Sequence, residues 1–357
     1  MKSAAAVAGV AIAGLVLLAA AAPARAKEDA SRTITVRLAV DRAIPNLTEW
    51  RFQANSFLEG AVRIFRSRFG IKLAFKGPVR WRPAMGAKSL QDELRDLTIK
   101  VDPDGCDIVL GIVDLNRVGT QSLGIASYVN SCIVVGNTAD PGVMRYAVLH
   151  EICHVFGAID LGEKGSLMSV RGGRLEFDKF TDEAVLLHRD RTFSRGSFPL
   201  PQDGLDAAIK LYGERADRRL GEPETNMFLT LFYLEKNDLE SASRAGQEAA
   251  RQDPDMMGLE VLLGNISLCR GEPALALGHY ERAMERQPAD PGLHYNVALA
   301  YASMGKLPEA AGECREALRI DPDLVPAQLG LARLIAGAFR IPPVFSFYRR
   351  AAIREAR

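Results

Sequence analysis

The sequence predicts an α+β domain followed by an all-α helical-repeat solenoid, and three observations carry that prediction. Between residues 33 and 192, β-rich runs and helical runs succeed one another without a fixed period. A stretch rich in Gly, Ser and Pro, "FSRGSFPLPQDG" at 193–204, then interrupts the pattern as a domain boundary does. Beyond it Pro254, Pro288 and Pro322 recur every 34 residues. A chain of 357 residues with 48% hydrophobic composition has room for about two such domains.

Taken in order, the first element is not part of the fold. Lys2 is followed by the apolar run "AAAVAGVAIAGLVLLAAAA", and Ala24 and Ala26 stand at the small-residue positions of a cleavage site before Lys27. Residues 1–26 read as a signal peptide, so the protein is expected to be exported, periplasmic or secreted. The alternative is an uncleaved anchor, since the run is just long enough to span a bilayer. "TITVRLAVD" (33–41) alternates as a strand does. Residues 49–69 place Phe52, Phe57, Ala61, Ile64 and Phe65 on one helical side. A strand over 71–77 and a short helix over 88–98 follow. "CDIVLGIVD" (106–114) is apolar enough for a central strand buried on both faces. "GIASYVNSCIVVGN" (124–137) suggests one or two strands with a turn near Asn130. Asp140 then offers an N-cap with Pro141 at the first helical position, and Gly157 can end that helix in a left-handed conformation. A last helix is expected over 181–191.

The domains are therefore placed at 27–198 and 199–357, with repeats near 223–256, 257–290 and 291–324 and capping helices after them. Counted within each repeat, position 20 is Ala242, Ala276 and Ala310, and position 27 is Ala249, Ala283 and Ala317. Small residues at these places let two antiparallel helices approach closely, and the proline ends the second helix. The pattern resembles the tetratricopeptide repeat. Where that repeat carries tryptophan, this chain has Asn226, Glu260 and His294.

Charge and cysteine content exclude other classes. With 45 basic and 44 acidic residues, no basic excess marks a nucleic-acid partner. Arg349, Arg350, Arg354 and Arg357 read as a solvated helix face. The five cysteines, Cys106, Cys132, Cys153, Cys269 and Cys314, are too few and odd in number for a disulfide scaffold. Cys106 and Cys132 either pair across neighbouring strands or remain small buried thiols.

The chemistry concentrates in "AVLHEICHVFGAID", 147–160. His150 and His154 lie one turn apart on a helix face, so both imidazoles can reach one tetrahedral zinc ion. Glu151, rotated about 100° from His150, suits a general base acting on metal-bound water. Gly157 turns the chain, and Asp160 can complete three protein ligands with a fourth place left for water. Glu163 is a weaker oxygen donor, Cys153 faces away from both histidines, and His188 reads as a packing residue. "GSLMS" (165–169) follows. The H-E-x-x-H-x-x-G-x-x-D pattern with Met168 in the turn after it resembles the metzincin metalloproteases, with the aspartate in third place similar to snapalysin. This resemblance implies a metzincin-like α+β domain of twisted mixed sheet and long helices, an edge strand ("GIASY", 124–128) that binds extended substrate, and peptidase activity. The tyrosine that follows the Met-turn in some metzincins is absent; Val170, Arg171 and Gly172 stand there.

The reading is an exported zinc-dependent endopeptidase holding one catalytic Zn2+ on His150, His154 and Asp160. Glu151 is its base, Gly157 and Met168 support the site, and the repeats bind a protein or peptide. The alternative is an interaction or scaffold protein, catalytically weak or inactive, in which the repeats carry the function. Substrate, partner and oligomeric state are open at this point.

Overall fold

The computed structural model describes residues 32–84, 86–87, 89–117, 122–169, 174–193, 199–218, 222–256 and 258–336. The expected signal peptide and Val170 to Gly172 lie outside the described residues, as does the side chain of Phe52. Contacts divide the chain into two units, 1–195 and 196–357.

In the first unit, β1 (Arg32–Asp41) is followed by α1 (Leu47–Phe69) and β2 (Ile71–Trp81), and β2 pairs parallel to β1. α2 (Leu90–Lys100) then leads to β3 (Ile108–Val113), which pairs parallel to the other side of β1. β4 (Gly124–Ser127) and β5 (Cys132–Gly136) are antiparallel neighbours, and β5 runs parallel to β3. The sheet order is β2-β1-β3-β5-β4. All six residues of β3 are buried, as a strand covered on both faces requires. Val109, Val113, Cys132 and Val134 pack against Leu90, Leu94 and Leu97 of α2. The alternate side chains face α1 and α3 (Pro141–Val155).

The expected fold class is corrected here. Strands and helices alternate as β-α-β-α-β, and each crossover returns the chain parallel to its neighbour, so the sheet is α/β in construction with one short antiparallel edge. The α+β expectation arose because a buried apolar run shows that a strand is covered but not which way its partner runs. Helices also dominate the chain as a whole, and the sheet is small.

α3 forms where its signals place it. Asp140 accepts from the backbone N–H of Gly142 at 2.7 Å and of Val143 at 3.3 Å, and Gly157 stands at φ 84° just past the helix end. The fully buried Arg191 fixes that end, donating to the carbonyl of Val155, to Tyr128 O at 2.5 Å and to Ser131 Oγ at 3.2 Å. Its guanidinium also lies 4.5 Å from the Tyr128 ring centroid. α4 (Lys179–Leu187) is shorter than the expected 181–191 helix and starts earlier, because the Asp178 side chain caps it at Thr181 N.

The second unit is wholly helical among its described residues. α5 (Gln202–Asp217) precedes three helix pairs: α6 (Pro223–Glu235) with α7 (Leu239–Gln252), α8 (Leu259–Cys269) with α9 (Pro273–Arg286), and α10 (Pro291–Ser303) with α11 (Leu307–Ile320). α12 (Val325–Ile335) follows. Ala242, Ala249, Ala276, Ala310 and Ala317 are fully buried, the close approach that the small-residue periodicity demands. Gly264 has the same purpose: a Cβ there would lie 2.3 Å from Tyr280 Cε1. The positions that depart from tryptophan carry polar pairs instead. Asn226 bonds Gln252 at 3.2 Å, Glu260 meets His279 at 2.7 Å, and His294 meets Glu313 at 2.7 Å.

Candidate metal centre

Three donor atoms converge in the first unit. His150 Nε2 and His154 Nε2 stand 3.1 Å apart, and Asp160 Oδ1 lies 3.2 Å from the first and 3.6 Å from the second. Two ligands on one tetrahedral zinc, each bonded at about 2.0–2.1 Å, stand about 3.4 Å apart. The three edges fall on either side of that value. Among the described residues this is the one His/Cys/Asp/Glu group close enough to share an ion.

Hydrogen bonds set the ring orientation. His150 Nδ1 lies 3.0 Å from Leu167 O, and His154 Nδ1 lies 2.9 Å from Ala158 O. A carbonyl only accepts, so both Nδ1 atoms carry the proton and both Nε2 atoms present lone pairs. Two lone pairs and a carboxylate oxygen facing one point repel unless a cation lies among them. The donor set therefore fits a divalent metal of the zinc class, which would tie α3 to the segment that follows it. Burial disfavours charge on His150, but its hydrogen bond to Asp160 and the charges of Glu151 and Asp160 together outweigh this and raise its pKa above the ordinary imidazole value. Burial likewise opposes the Asp160 carboxylate, and the two histidines overcome it, holding its pKa below the usual carboxylate range.

The neighbouring segment closes a ring of contacts. Leu161 N donates to Met168 O at 2.7 Å, and Tyr146 OH donates to Leu167 O at 3.0 Å, the carbonyl that also receives His150. The turn at 166–169 thus holds α3 through one carbonyl and the strand of chain after Asp160 through the next. Met168 is fully buried beneath it. Tyr146 escaped the sequence reading although it stands one turn before His150, a spacing that could have drawn attention. Burial first, then Asp160 and Glu151, push its hydroxyl up to about 12.

The remaining candidates fall elsewhere. Glu151 is 5% exposed, its side chain closed in by β4: a Cβ on Gly124 would lie 2.6 Å from Glu151 Cγ. Its Oε2 has no hydrogen-bond partner among the described residues, and burial raises its pKa. Glu163 is exposed and outside the donor group. Cys153 is fully buried, and all five cysteines are free thiols, Cys106 and Cys132 included. His188 packs its ring edge-on to Tyr128 at 5.5 Å and bonds Ala184 O at 2.8 Å. Two surface cavities of this unit, one beside Trp50, Asn55 and Lys76 and one beside Arg37, Arg82 and Lys100, include none of His150, Glu151 and His154.

Comparison with known proteins speaks for the repeats. The TPR repeat-containing thioredoxin TTL4 of Arabidopsis thaliana is 34% identical over 121 residues, 33% of this chain and 18% of that protein. Hsp70-Hsp90 organizing protein 2 of the same plant is 31% identical over 87 residues, 24% of this chain and 15% of that protein. A crystal structure of MamA aligns with 43% of this chain and 91% of its own at 20% identity and a TM-score of 0.35. The chain thus spans less than a fifth of either curated relative. No family model matches it.

These findings correct the metzincin resemblance. The similar proteins are of the tetratricopeptide-repeat kind and not metalloproteases, so the snapalysin-like identification falls, and with it the zinc endopeptidase activity and the general-base role of Glu151. The structure supplies a physical reason for the last point: the Glu151 carboxylate is enclosed by the edge strand, where a base serving a bound substrate needs an open approach. A histidine pair one turn apart on a helix is a short pattern, and it marks a place for a cation without specifying a reaction.

Proposed function

We propose that this chain is a protein-binding scaffold whose repeat unit carries the function, taking up a peptide or protein segment on its stacked helix pairs. The observation that carries the reading is the 34-residue period realised as three successive helix pairs, α6/α7, α8/α9 and α10/α11. Stacked pairs present a long, regular surface built from their first helices. Here Val261 and Leu262 of α8 pack partly against the repeat core and stay half-buried, beside Asn265, which accepts from Tyr280 at 2.8 Å, and the half-buried Asn296 of α10. Such a lining suits an extended segment, with apolar contact for side chains and amide hydrogen bonds for backbone. The relatives support the same class of partner, one named for its TPR repeats and the other for organising Hsp70 and Hsp90. The first unit holds one zinc-class ion on His150, His154 and Asp160 as a structural clasp. The leader over 1–26 supports export, with the mature chain beginning at Lys27.

The test is selection of peptides from a display library by the full chain, followed by affinity measurement on the enriched sequence. Binding is expected to fall at least about 10-fold in Leu262→Glu and to persist in His150→Ala, since a charge in a desolvated contact costs more than about 1.4 kcal/mol. Enrichment of nothing, or binding indifferent to Leu262→Glu but lost in His150→Ala, would overturn the reading. Metal analysis of the purified chain and N-terminal sequencing of the exported protein check the other two parts.

A further inference from the structure

β2 forms one edge of the sheet, and its outer side has no neighbouring strand among the described residues. Between Ile71 and Gln91 the sequence holds five basic residues, Lys72, Lys76, Arg80, Arg82 and Lys88, and no acidic one. The whole chain is balanced, 45 basic to 44 acidic, so the excess here is local. Lys72, Lys76, Arg80 and Arg82 are exposed, and none meets a carboxylate among the described residues. Arg80 donates to Asp41 O at 2.9 Å and Ile44 O at 2.8 Å, bonds that hold the loop after β1 and leave its charge unneutralised. The repeat helices treat their exposed arginines differently. Arg244 is paired with Glu240 at 2.7 Å, Arg251 with Glu248 at 2.6 Å and Arg319 with Glu316 at 2.6 Å.

Each face of this edge carries a recess. Arg37 and Leu38 are consecutive on β1, so they face opposite sides of the sheet. On the side of Leu38, a cavity of about 340 Å³ is lined by Trp50, Leu58 and Phe75, with Lys76 beside them. On the side of Arg37, one of about 290 Å³ is lined by Val79, Trp81 and Val101, with Arg82 and Lys100. Lys100 is held by Asp96 at 2.5 Å. Arg37 donates through Nη1 to Asp104 at 2.8 Å, while its buried Nε has no hydrogen-bond partner among the described residues. Pro78 and the shift of register between Arg37 and Ala39 interrupt the ladder, so the regular edge is 71–76.

We infer that the outer edge of β2 takes an acidic, extended segment of a partner protein by strand addition. An added strand turns successive side chains to opposite faces, and a recess lies on each. Its carboxylates meet Lys72, Lys76 and Arg82, and its apolar side chains enter the two cavities. A lipid surface or a nucleic-acid backbone would meet its cations on one face and would not straddle an edge. Cations along an edge ordinarily keep other strands away. Here they repel a basic strand and favour an acidic one, which is selection of a partner by charge. The surface lies in the first unit, so the inference stands apart from what the repeats bind.

Fluorescence anisotropy of the full chain with a labelled peptide of alternating glutamate and valine tests it. Saturable binding is expected, weakening as salt rises. The same peptide with lysine for glutamate is expected to bind at least about 100-fold less tightly. N-methylation of the acidic peptide's backbone amides should remove binding, because strand addition needs those N–H groups. Lys72→Glu with Lys76→Glu should weaken binding at least about 10-fold, and Arg319→Gln, a cation of the repeat unit, should leave it unchanged. Lys72→Gln with Lys76→Gln shifts affinity in the same direction and serves if the reversed pair fails to fold. Absence of saturable binding overturns the inference. So does an N-methylated peptide that binds as well as its parent, which makes the edge a charged surface only. A dimer that sediments without peptide and is lost in Lys72→Glu with Lys76→Glu makes a second copy the occupant, and overturns it too.

Discussion

The two units differ in how they store information. In the repeat unit each helix pair restates the last: the buried alanines of α7, α9 and α11 recur at one period, and each contact is with a neighbour close in sequence. In the first unit the important contacts are single and distant. Leu167 O joins His150 and Tyr146 by contacts that recur nowhere else among the described residues, and Arg191 reaches the end of α3, 36 residues away, and Tyr128, 63 residues away. A periodic contact is restated by its neighbours in the array, whereas a single long-range one is encoded once, so a short motif in the first unit specifies less than the 34-residue period does.

The largest effect that would sharpen this contrast is loss of metal. His150→Ala is expected to abolish stoichiometric zinc binding, a loss beyond the 10–100-fold typical of an outer-shell change, with the repeat unit's melting unchanged. Dialysis with metal analysis measures it, and an undiminished ion content would remove the centre assigned here. Next comes the buried ion pair of the second unit, in which Arg215 Nε donates to Glu222 Oε2 at 2.6 Å. Both side chains are almost wholly inaccessible. Glu222→Gln should destabilise that unit by about 3–5 kcal/mol in urea melts, whereas the apolar double replacement Arg215→Met with Glu222→Leu should cost far less. Equal losses in the single and double variants would show that shape, not charge, matters there.

A smaller effect concerns pH. Burial first, then Arg191, against a hydrogen bond to Ala184, lower the His188 pKa to about 3. The unfolded imidazole takes a proton near pH 6.5, which the folded one refuses, so stability present above that pH falls as pH drops below it. The slope is about 1.4 kcal/mol per pH unit, or about 2 kcal/mol between pH 6.5 and 5. His188→Phe should flatten the first unit's stability over that window, and an unchanged slope would place the titration elsewhere. The smallest is Tyr146→Phe, which leaves His150 as sole donor to Leu167 O. Zinc affinity should fall about 10-fold with no change in stoichiometry, read by competition with a chelator. An unaltered affinity would make the tyrosine a packing residue.

Much of this was legible in the sequence for identifiable reasons. Capping by Asp140, the turn at Gly157 and the 34-residue period are local signals, and α3 and the helix pairs follow them. The pairing directions of the sheet were not legible, because apolar runs record burial and not partner. Nor was the enclosure of Glu151, which depends on Gly124 being seated against it. Tyr146 was missed because its partner is a backbone carbonyl, to which sequence patterns are blind.

By itself the sequence determined where α3 starts and turns, the phase of the helix pairs, which residues are small enough for helices to touch, and which three side chains could share a cation. Only the tertiary structure decided which faces are covered and which are bare. It turned both Nδ1 atoms to carbonyls so that both Nε2 atoms meet, and it buried one carboxylate while bringing another within 3.2 Å of a histidine. The reason is physical. Local structure follows from backbone sterics and hydrogen bonds a few residues apart. Access, charge and convergence depend on segments that meet only when the chain has folded.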